Sequence, residues 1–438
     1  MRIEKATDLL LKNVRVIDPV SDVDTVTDVR IVDGMIVKIG RSASVPASTR
    51  TVELSGLVAA PGFIDMHVHL REPGFEHKET IETGCTAAAA GGFTAVCCMP
   101  NTDPAIDDAS VIRFIREKGR AALSGLVDVH PIGAVTVRRK GEHLAPLAEM
   151  VDAGAVAFTD DGDPVHDSEV MRRALEYAGM FQKPIIQHAQ DISMTRGGVM
   201  NEGHCSTELG LPGMPGAAED VMITRDIMLA GYTGGQYHVA HMSTAGAVDL
   251  VRAAKAKRLN VTCEVTPHHF VLTDEAVRSF DTNTKMNPPL RTQADVDAIR
   301  EGLRDGTIDV IATDHAPHSY DEKQVEFESA PFGIVGLETA IGLAMTELVH
   351  KNVISLDRLI RLFSVNPRRI LRLPEVRITE GAPANLTLFS PATEWTVDPR
   401  SFHSRSKNTP FGGYALKGKP VAAINNGMAC WADLPSPS

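Results

Sequence analysis

Phe63-Ile64-Asp65-Met66-His67-Val68-His69-Leu70-Arg71 reads as an apolar strand that ends in a polar cluster. Side chains two apart on an extended strand project to one side, so His67 and His69 face the same way. The design recurs down the chain. Apolar runs beginning near Phe93, Val127, Ala155, Pro184, Tyr237, Val261 and Ile308 complete a set of eight strand candidates. Several end in polar residues: Met99-Pro100-Asn101, Thr159-Asp160-Asp161-Gly162, Gln187-His188, His238-Val239-Ala240-His241 and Thr313-Asp314-His315-Ala316-Pro317-His318. Helical patterns at 110–122, 168–181, 245–258 and 294–303 lie between the strands. This alternation predicts an α/β fold, a (β/α)8 TIM-like barrel. A doubly wound open sheet would show the same strand count. The barrel is preferred because it opens all these strand ends on one rim, where the active site of such a fold lies.

Both chain ends read as β instead. Leu9-Leu10-Leu11, Val14-Arg15-Val16-Ile17-Asp18 and Asp28-Val29-Arg30-Ile31-Val32 precede Met35-Ile36-Val37-Lys38-Ile39 across Asp33-Gly34, a strong hairpin signal. Near the other end, Ala384-Asn385-Leu386-Thr387-Leu388-Phe389, Tyr414-Ala415-Leu416-Lys417-Gly418 and Val421-Ala422-Ala423-Ile424-Asn425 repeat the pattern. The economical division is residues 1–55 and 374–438 forming one small β-sandwich domain around a barrel of residues 56–373.

The chain's 438 residues suffice for that arrangement, and a hydrophobic share of 43% is that of an ordinary globular protein. A net charge of -12 without any basic run argues against a nucleic-acid partner. No apolar stretch is long enough to span a bilayer, so no membrane role is expected. The cysteines, Cys85, Cys97, Cys98, Cys205, Cys263 and Cys430, form no C-x-x-C pair and read as buried hydrophobes. With no apparent signal peptide, this fits a reducing, cytoplasmic location.

Two imidazoles on one side of a strand end can chelate a divalent ion such as zinc. His67 and His69 alone could equally be a hydrogen-bonded pair; the other polar ends on the same rim favour the metal. His188 and His241, at equivalent strand ends, read as ligands of a second ion. His238 competes with His241 but is expected to face the helix layer. Asp161 can bridge two metals, whereas Asp160 reads as a loop or helix cap. Asp314 could move a proton between water and a leaving group. Arg71 and Asn101 could hold a substrate carboxylate, although Arg71 could also serve a structural ion pair. His268 and His269, beside Pro267, are expected in a loop. His77, His143, His166, His204, His350 and His403 are expected at the surface or in loops.

These residues carry a resemblance. Pro61-Gly62-Phe63-Ile64-Asp65-Met66-His67-Val68-His69 resembles the opening signature of the amidohydrolase superfamily. His67-Val68-His69-Leu70-Arg71-Glu72-Pro73-Gly74 resembles dihydroorotases and close cyclic amidohydrolases, and Thr159-Asp160-Asp161-Gly162, Asn287-Pro288-Pro289-Leu290-Arg291 and Ala312-Thr313-Asp314-His315-Ala316-Pro317-His318 resemble the longer, type I bacterial dihydroorotases. The resemblance implies zinc-dependent, reversible cyclisation of N-carbamoyl-L-aspartate to L-dihydroorotate in de novo pyrimidine (UMP) synthesis. It implies His67, His69, His188, His241 and Asp314 as ligands of two zinc ions, Asp161 as their bridge and Asp314 as the general acid/base. Substrate contacts fall to Arg71, Asn101, Asn287, His318 and the backbone of Pro331, Phe332 and Gly333, beneath a mobile loop at 319–330. A homodimer and binding to aspartate carbamoyltransferase are further implications. Hydantoinases and related amidohydrolases bridge their metals with a carboxylated lysine on the fourth strand; residues 155–162 contain no lysine, and Lys183 is at the wrong end of the fifth. A cyclic amidohydrolase for another ring and a catalytically dead scaffold are the competing readings.

Overall fold

The computed structural model describes residues 1–41 and 45–432. Phe63–Val68, Phe93–Cys98 and Asp128–Pro131 pair in parallel. Ile185–Gln187, Tyr237–Val239, Val261–Val265 and Val310–Ile311 form a second parallel set. The strand expected near Ala155 is reduced to one bridging residue, Phe158, yet it joins the two sets. It bridges Gly133 on one side and Ile185 on the other. Its segment is hydrogen-bonded to both neighbours, with Thr159 N donating to Gly133 O at 2.9 Å and Ile186 N to Phe158 O at 2.8 Å. A parallel bridge between Val68 and His315 connects the last strand back to the first. Buried Asp65 reinforces that seam: its carboxylate accepts from Thr313 N at 3.1 Å. The ring of parallel strands selects the barrel over the open sheet.

Ile64, Met66, Ala95, Cys97, Ile186, Val310 and Ala312 fill the inside of the ring. A larger apolar cluster joins its outer face to the helices. Helix Ala109–Ala121 shows how the sequence builds that shell. Asp108 caps its first turn by accepting from Ser110 N and Val111 N, and Val111, Ile112, Ile115 and Gly119 bury one face. Gly119 is required there, since a Cβ would lie 2.6 Å from Val129 Cβ. At the foot of the barrel, Phe63 stacks on Phe363 at 5.3 Å between ring centroids, and Phe93 meets Phe363 edge-on at 5.8 Å. Phe363→Ala is expected to cost about 3–5 kcal/mol, read as a fall in the denaturation midpoint.

The chain ends meet in one nine-stranded sheet. Arg2–Lys5 pairs with Met428–Trp431, and Val58–Pro61 lies between Leu386–Thr396 and Asp8–Asp18. Asp33 and Gly34 have φ of 49° and 77°, the doubly positive turn that suits the twist of a tight hairpin. Leu11, Val16, Ile31, Leu388, Ile424 and Trp431 share its core. All six cysteines are free and buried. Among the described residues, no helix is long and apolar enough to cross a membrane.

Candidate metal centre

The strand ends converge as the barrel requires. His67 and His69 leave the first strand, Asp161 follows Phe158, and His188, His241 and Asp314 follow the fifth, sixth and eighth. All six side chains are buried. Three overlapping sets, His67/His69/Asp161, His67/His241/Asp314 and Asp161/His188/His241, each bring their ligand atoms within 4.8 Å of one another.

The distances are those of ligands around an ion more than those of hydrogen bonds. Asp161 Oδ1 lies 3.5 Å from His67 Nε2, 3.3 Å from His241 Nε2 and 3.6 Å from His188 Nδ1. Asp161 Oδ2 lies 3.6 Å from His69 Nε2, and Asp314 Oδ1 lies 3.5 Å from His67 Nε2. Tetrahedral ligands each about 2.0–2.1 Å from zinc stand roughly 3.3 Å apart. Two contacts are shorter: His69 Nε2 to Asp314 Oδ1 at 2.9 Å and His188 Nδ1 to His241 Nε2 at 2.9 Å. His67 Nε2 and His241 Nδ1 are buried without a hydrogen-bond partner, an expensive state for a polar atom. Imidazole and carboxylate donors, one of the imidazoles with its inward nitrogen unsatisfied, fit a divalent ion such as zinc.

Burial works against charge on Asp161, yet the imidazoles of His67, His188 and His241 hold it well below the usual carboxylate range. Asp314 is lowered too, against its burial, by His67 and His69. Both are therefore anionic and available to a cation. Arg71, His241 and Asp314 have φ of 62°, 29° and 45°. Left-handed backbone at bulky residues stores strain, and it recurs at functional sites.

Beside the cluster, Arg71 Nε donates to Pro317 O at 3.2 Å, and its NH2 lies 3.4 Å from His318 Nε2. The guanidinium meets a carbonyl and an imidazole, and among the described residues no carboxylate makes it a structural ion pair. Lys78 Nζ stands 3.4 Å from His318 Nδ1 and pairs with Glu322 Oε1 at 2.8 Å. Burial, then Arg71 and Lys78, push the pKa of His318 down. Lys78 is compensated by Glu322, so the buried Arg71 is the cation this wall offers an anion. Gly333 has φ of 151°, and a Cβ there would lie 2.6 Å from Ala316 O and 2.8 Å from His318 Cδ2. A side chain would displace the ring. A cavity of about 620 Å³ opens next to Gly162, Gln190, Asn287, Pro331 and Phe332.

Other expected positions behave differently. Asn101 Oδ1 accepts from His69 Nδ1 at 2.8 Å, which orients that ring. Asn287 Nδ2 donates to Gln190 Oε1 at 2.8 Å and lies 3.2 Å from His188 Nε2. Asp160 turns away and accepts from Thr136 N at 3.0 Å, holding the neighbouring loop. Segment 319–330 contains the short helix Tyr320–Lys323. Lys285 Nζ holds it by donating to Phe327 O at 2.9 Å, and Lys323 Nζ donates to Pro331 O at 2.7 Å.

Two expectations are corrected. His238 does not face the helix layer: it shares the parity of Ala240, which joins the inner cluster, while Tyr237 and Val239 join the outer one. His268 and His269 are buried in helix Pro267–Val271, not in a loop, because proline at the first helical position starts a helix without loss. Sequence reasoning also passed over Gln190, Lys78 and Glu264. Glu264 left one signal, a lone acid inside the apolar run Val261-Thr262-Cys263-Glu264-Val265.

A family model described as "Dihydro-orotase-like" matches residues 56–247. A dihydroorotase of Pelotomaculum thermopropionicum is 53% identical, over 97% of this chain and 99% of that protein. One of Syntrophus aciditrophicus is 50% identical over 97% and 99%. Among solved structures, an L-hydantoinase (dihydropyrimidinase) from Arthrobacter aurescens has a TM-score of 0.85 at 23% identity, covering 97% of this chain and 96% of that one. A dihydropyrimidinase from Brevibacillus agri has 0.82 at 22%, over 96% and 94%. At that identity the structures share the fold, whereas the sequence relatives match end to end at half their positions. By that full-length identity, the chain belongs to the dihydroorotase family.

Proposed function

We propose that this protein is a dihydroorotase of type I, a binuclear zinc enzyme that interconverts N-carbamoyl-L-aspartate and L-dihydroorotate in de novo pyrimidine synthesis. The observation that carries the reading is the cluster of four imidazoles around Asp161, set beside a wall of Arg71, His318 and Lys78. His67, His69, Asp161 and Asp314 would hold one ion, and Asp161, His188 and His241 the other. Asp161 takes the bridging place on a fourth strand without lysine, which supports type I. The reading divides the chain into a barrel at 56–373 and a β domain from 1–55 and 374–438, with Val58–Pro61 lending a strand to the sheet of the β domain. It extends to a cytoplasmic homodimer able to bind aspartate carbamoyltransferase.

Zinc in these positions would supply Lewis acidity and a nucleophile from water near neutral pH. The chain's own groups do the rest. Arg71, Asn101 and His318 hold the exocyclic carboxylate of dihydroorotate and keep the ring amide over the cluster. Asn287 and the backbone at Pro331, Phe332 and Gly333 border the ring. Asp314 takes a proton from the attacking water and returns it to the departing ring nitrogen, so ring opening leaves a ureido group and a side-chain carboxylic acid, which loses its proton to solvent. In the biosynthetic direction that carboxylate takes up a proton, the ureido nitrogen attacks it, Asp314 carries the proton of that nitrogen to the departing oxygen, and water leaves.

Arg71→Ala should raise KM for dihydroorotate roughly 10- to 100-fold, the worth of a charge-assisted hydrogen bond, with a smaller change in kcat. An unchanged KM would count against the clamp. Selectivity tests the substrate itself. Dihydrouracil lacks the carboxylate, so dihydroorotate should be favoured by at least about a hundredfold in kcat/KM. Equal turnover would move the assignment to an amidohydrolase for another ring.

A further inference from the structure

Glu264 is fully buried on strand Val261–Val265 and uses both carboxylate oxygens. Oε1 accepts from His67 Nδ1 at 2.6 Å and lies 3.3 Å from the backbone N of His241. Oε2 stands 3.4 Å from His238 Nε2, and His238 Nδ1 lies 2.8 Å from Thr262 Oγ1. Its backbone carbonyl accepts from Met242 N at 2.9 Å. One acid thus ties the seventh strand to its neighbour the sixth and, across the barrel, to the first, and each of those two strands leads to a histidine of the candidate metal centre. Its ion-pair partners among the described residues are His67 and His238, with no lysine or arginine.

A buried carboxylate whose charged partners are only imidazoles is costly unless its contacts matter. Here they determine which nitrogen of His67 is free. With Nδ1–H donated to Glu264, the lone pair belongs to Nε2. That Nε2 is the buried atom without a partner, 3.5 Å from both Asp161 Oδ1 and Asp314 Oδ1. We propose that Glu264 is a positioning residue: it fixes the tautomer and ring plane of His67, steadies the backbone of His241, and so sets the affinity of the centre for its divalent ion. The inference rests on the metal-centre part of the proposed function and is independent of the substrate. A purely structural Glu264 would alter stability and leave metal affinity in the folded protein unchanged.

The test uses the full chain, stripped of metal and titrated with zinc against a chromophoric chelator. Wild type is compared with Glu264→Gln, which keeps the shape and removes the charge, and with Glu264→Asp, which keeps the charge and withdraws it by one methylene. Folding is followed by circular dichroism. Glu264→Gln should bind zinc roughly 10- to 100-fold more weakly, the usual loss when such an outer partner is removed, with Glu264→Asp intermediate. Zinc affinity within twofold of wild type in both folded variants would overturn the proposal. Should the variants not fold, ¹⁵N NMR of zinc-loaded wild type decides it, with the His67 signals assigned by their loss in His67→Asn. Protonated Nδ1 is expected; protonated Nε2 overturns it. A wild type that binds zinc but leaves dihydroorotate intact would defeat the functional reading, while the affinity comparison would still judge Glu264.

Discussion

Asp314→Ala should lower dihydroorotate turnover by about three orders of magnitude while zinc content falls far less. Proton transfer by a positioned side chain is worth roughly 10²- to 10⁴-fold, and Asp161, the other carboxylate beside His67 and His69, is assigned to the metals. It is buried at the end of the eighth strand, its Oδ1 is 2.9 Å from His69 Nε2, and φ of 45° aims it into the cluster. His67, His69, Asp161, His188 and His241 remain in the variant to hold metal. Steady-state kcat with zinc measured on the same sample checks both halves. Turnover near wild type would remove Asp314 from its assigned role.

Asp161→Ala should do the reverse, losing the metal first and activity as a consequence. Its two oxygens stand within 3.6 Å of four imidazole nitrogens, those of His67, His69, His188 and His241. Without that anion the cluster keeps crowded imidazoles and loses the group that joins its two halves. Zinc per chain should drop by at least half, and kcat by more than about a thousandfold, the range expected when a metal-activated nucleophile is lost. Retention of the wild-type zinc content would show that Asp161 is not the bridge.

The contrast between these residues also shows what a sequence can reveal. The barrel was legible because apolar runs recur with polar ends, and one rim collects those ends. The choice of Asp161 over Asp160 followed from strand alternation, and the two side chains do diverge, Asp160 toward Thr136 and Asp161 toward the histidines. Alternation failed for His238 because Tyr237–Val239 is only three residues long and His241 lies past its end with φ of 29°. Counting parity through such a bend misplaces the faces. The partners of Asn101 and Glu264 were illegible for another reason. Both act on His69 and His67 from strands distant in sequence, and neither Asn101, read as a substrate contact, nor Glu264, a lone acid in an apolar run, specifies its partner locally. The fourth strand is reduced to Phe158, which nevertheless pairs on both sides.

The most direct test of the account is the hydrolysis of L-dihydroorotate by the purified protein, first zinc-loaded, then stripped with a chelator, then reloaded. The account predicts turnover that disappears with the metal and returns with it. A folded, zinc-loaded protein that leaves dihydroorotate unchanged, or one whose turnover survives complete removal of metal, would contradict it.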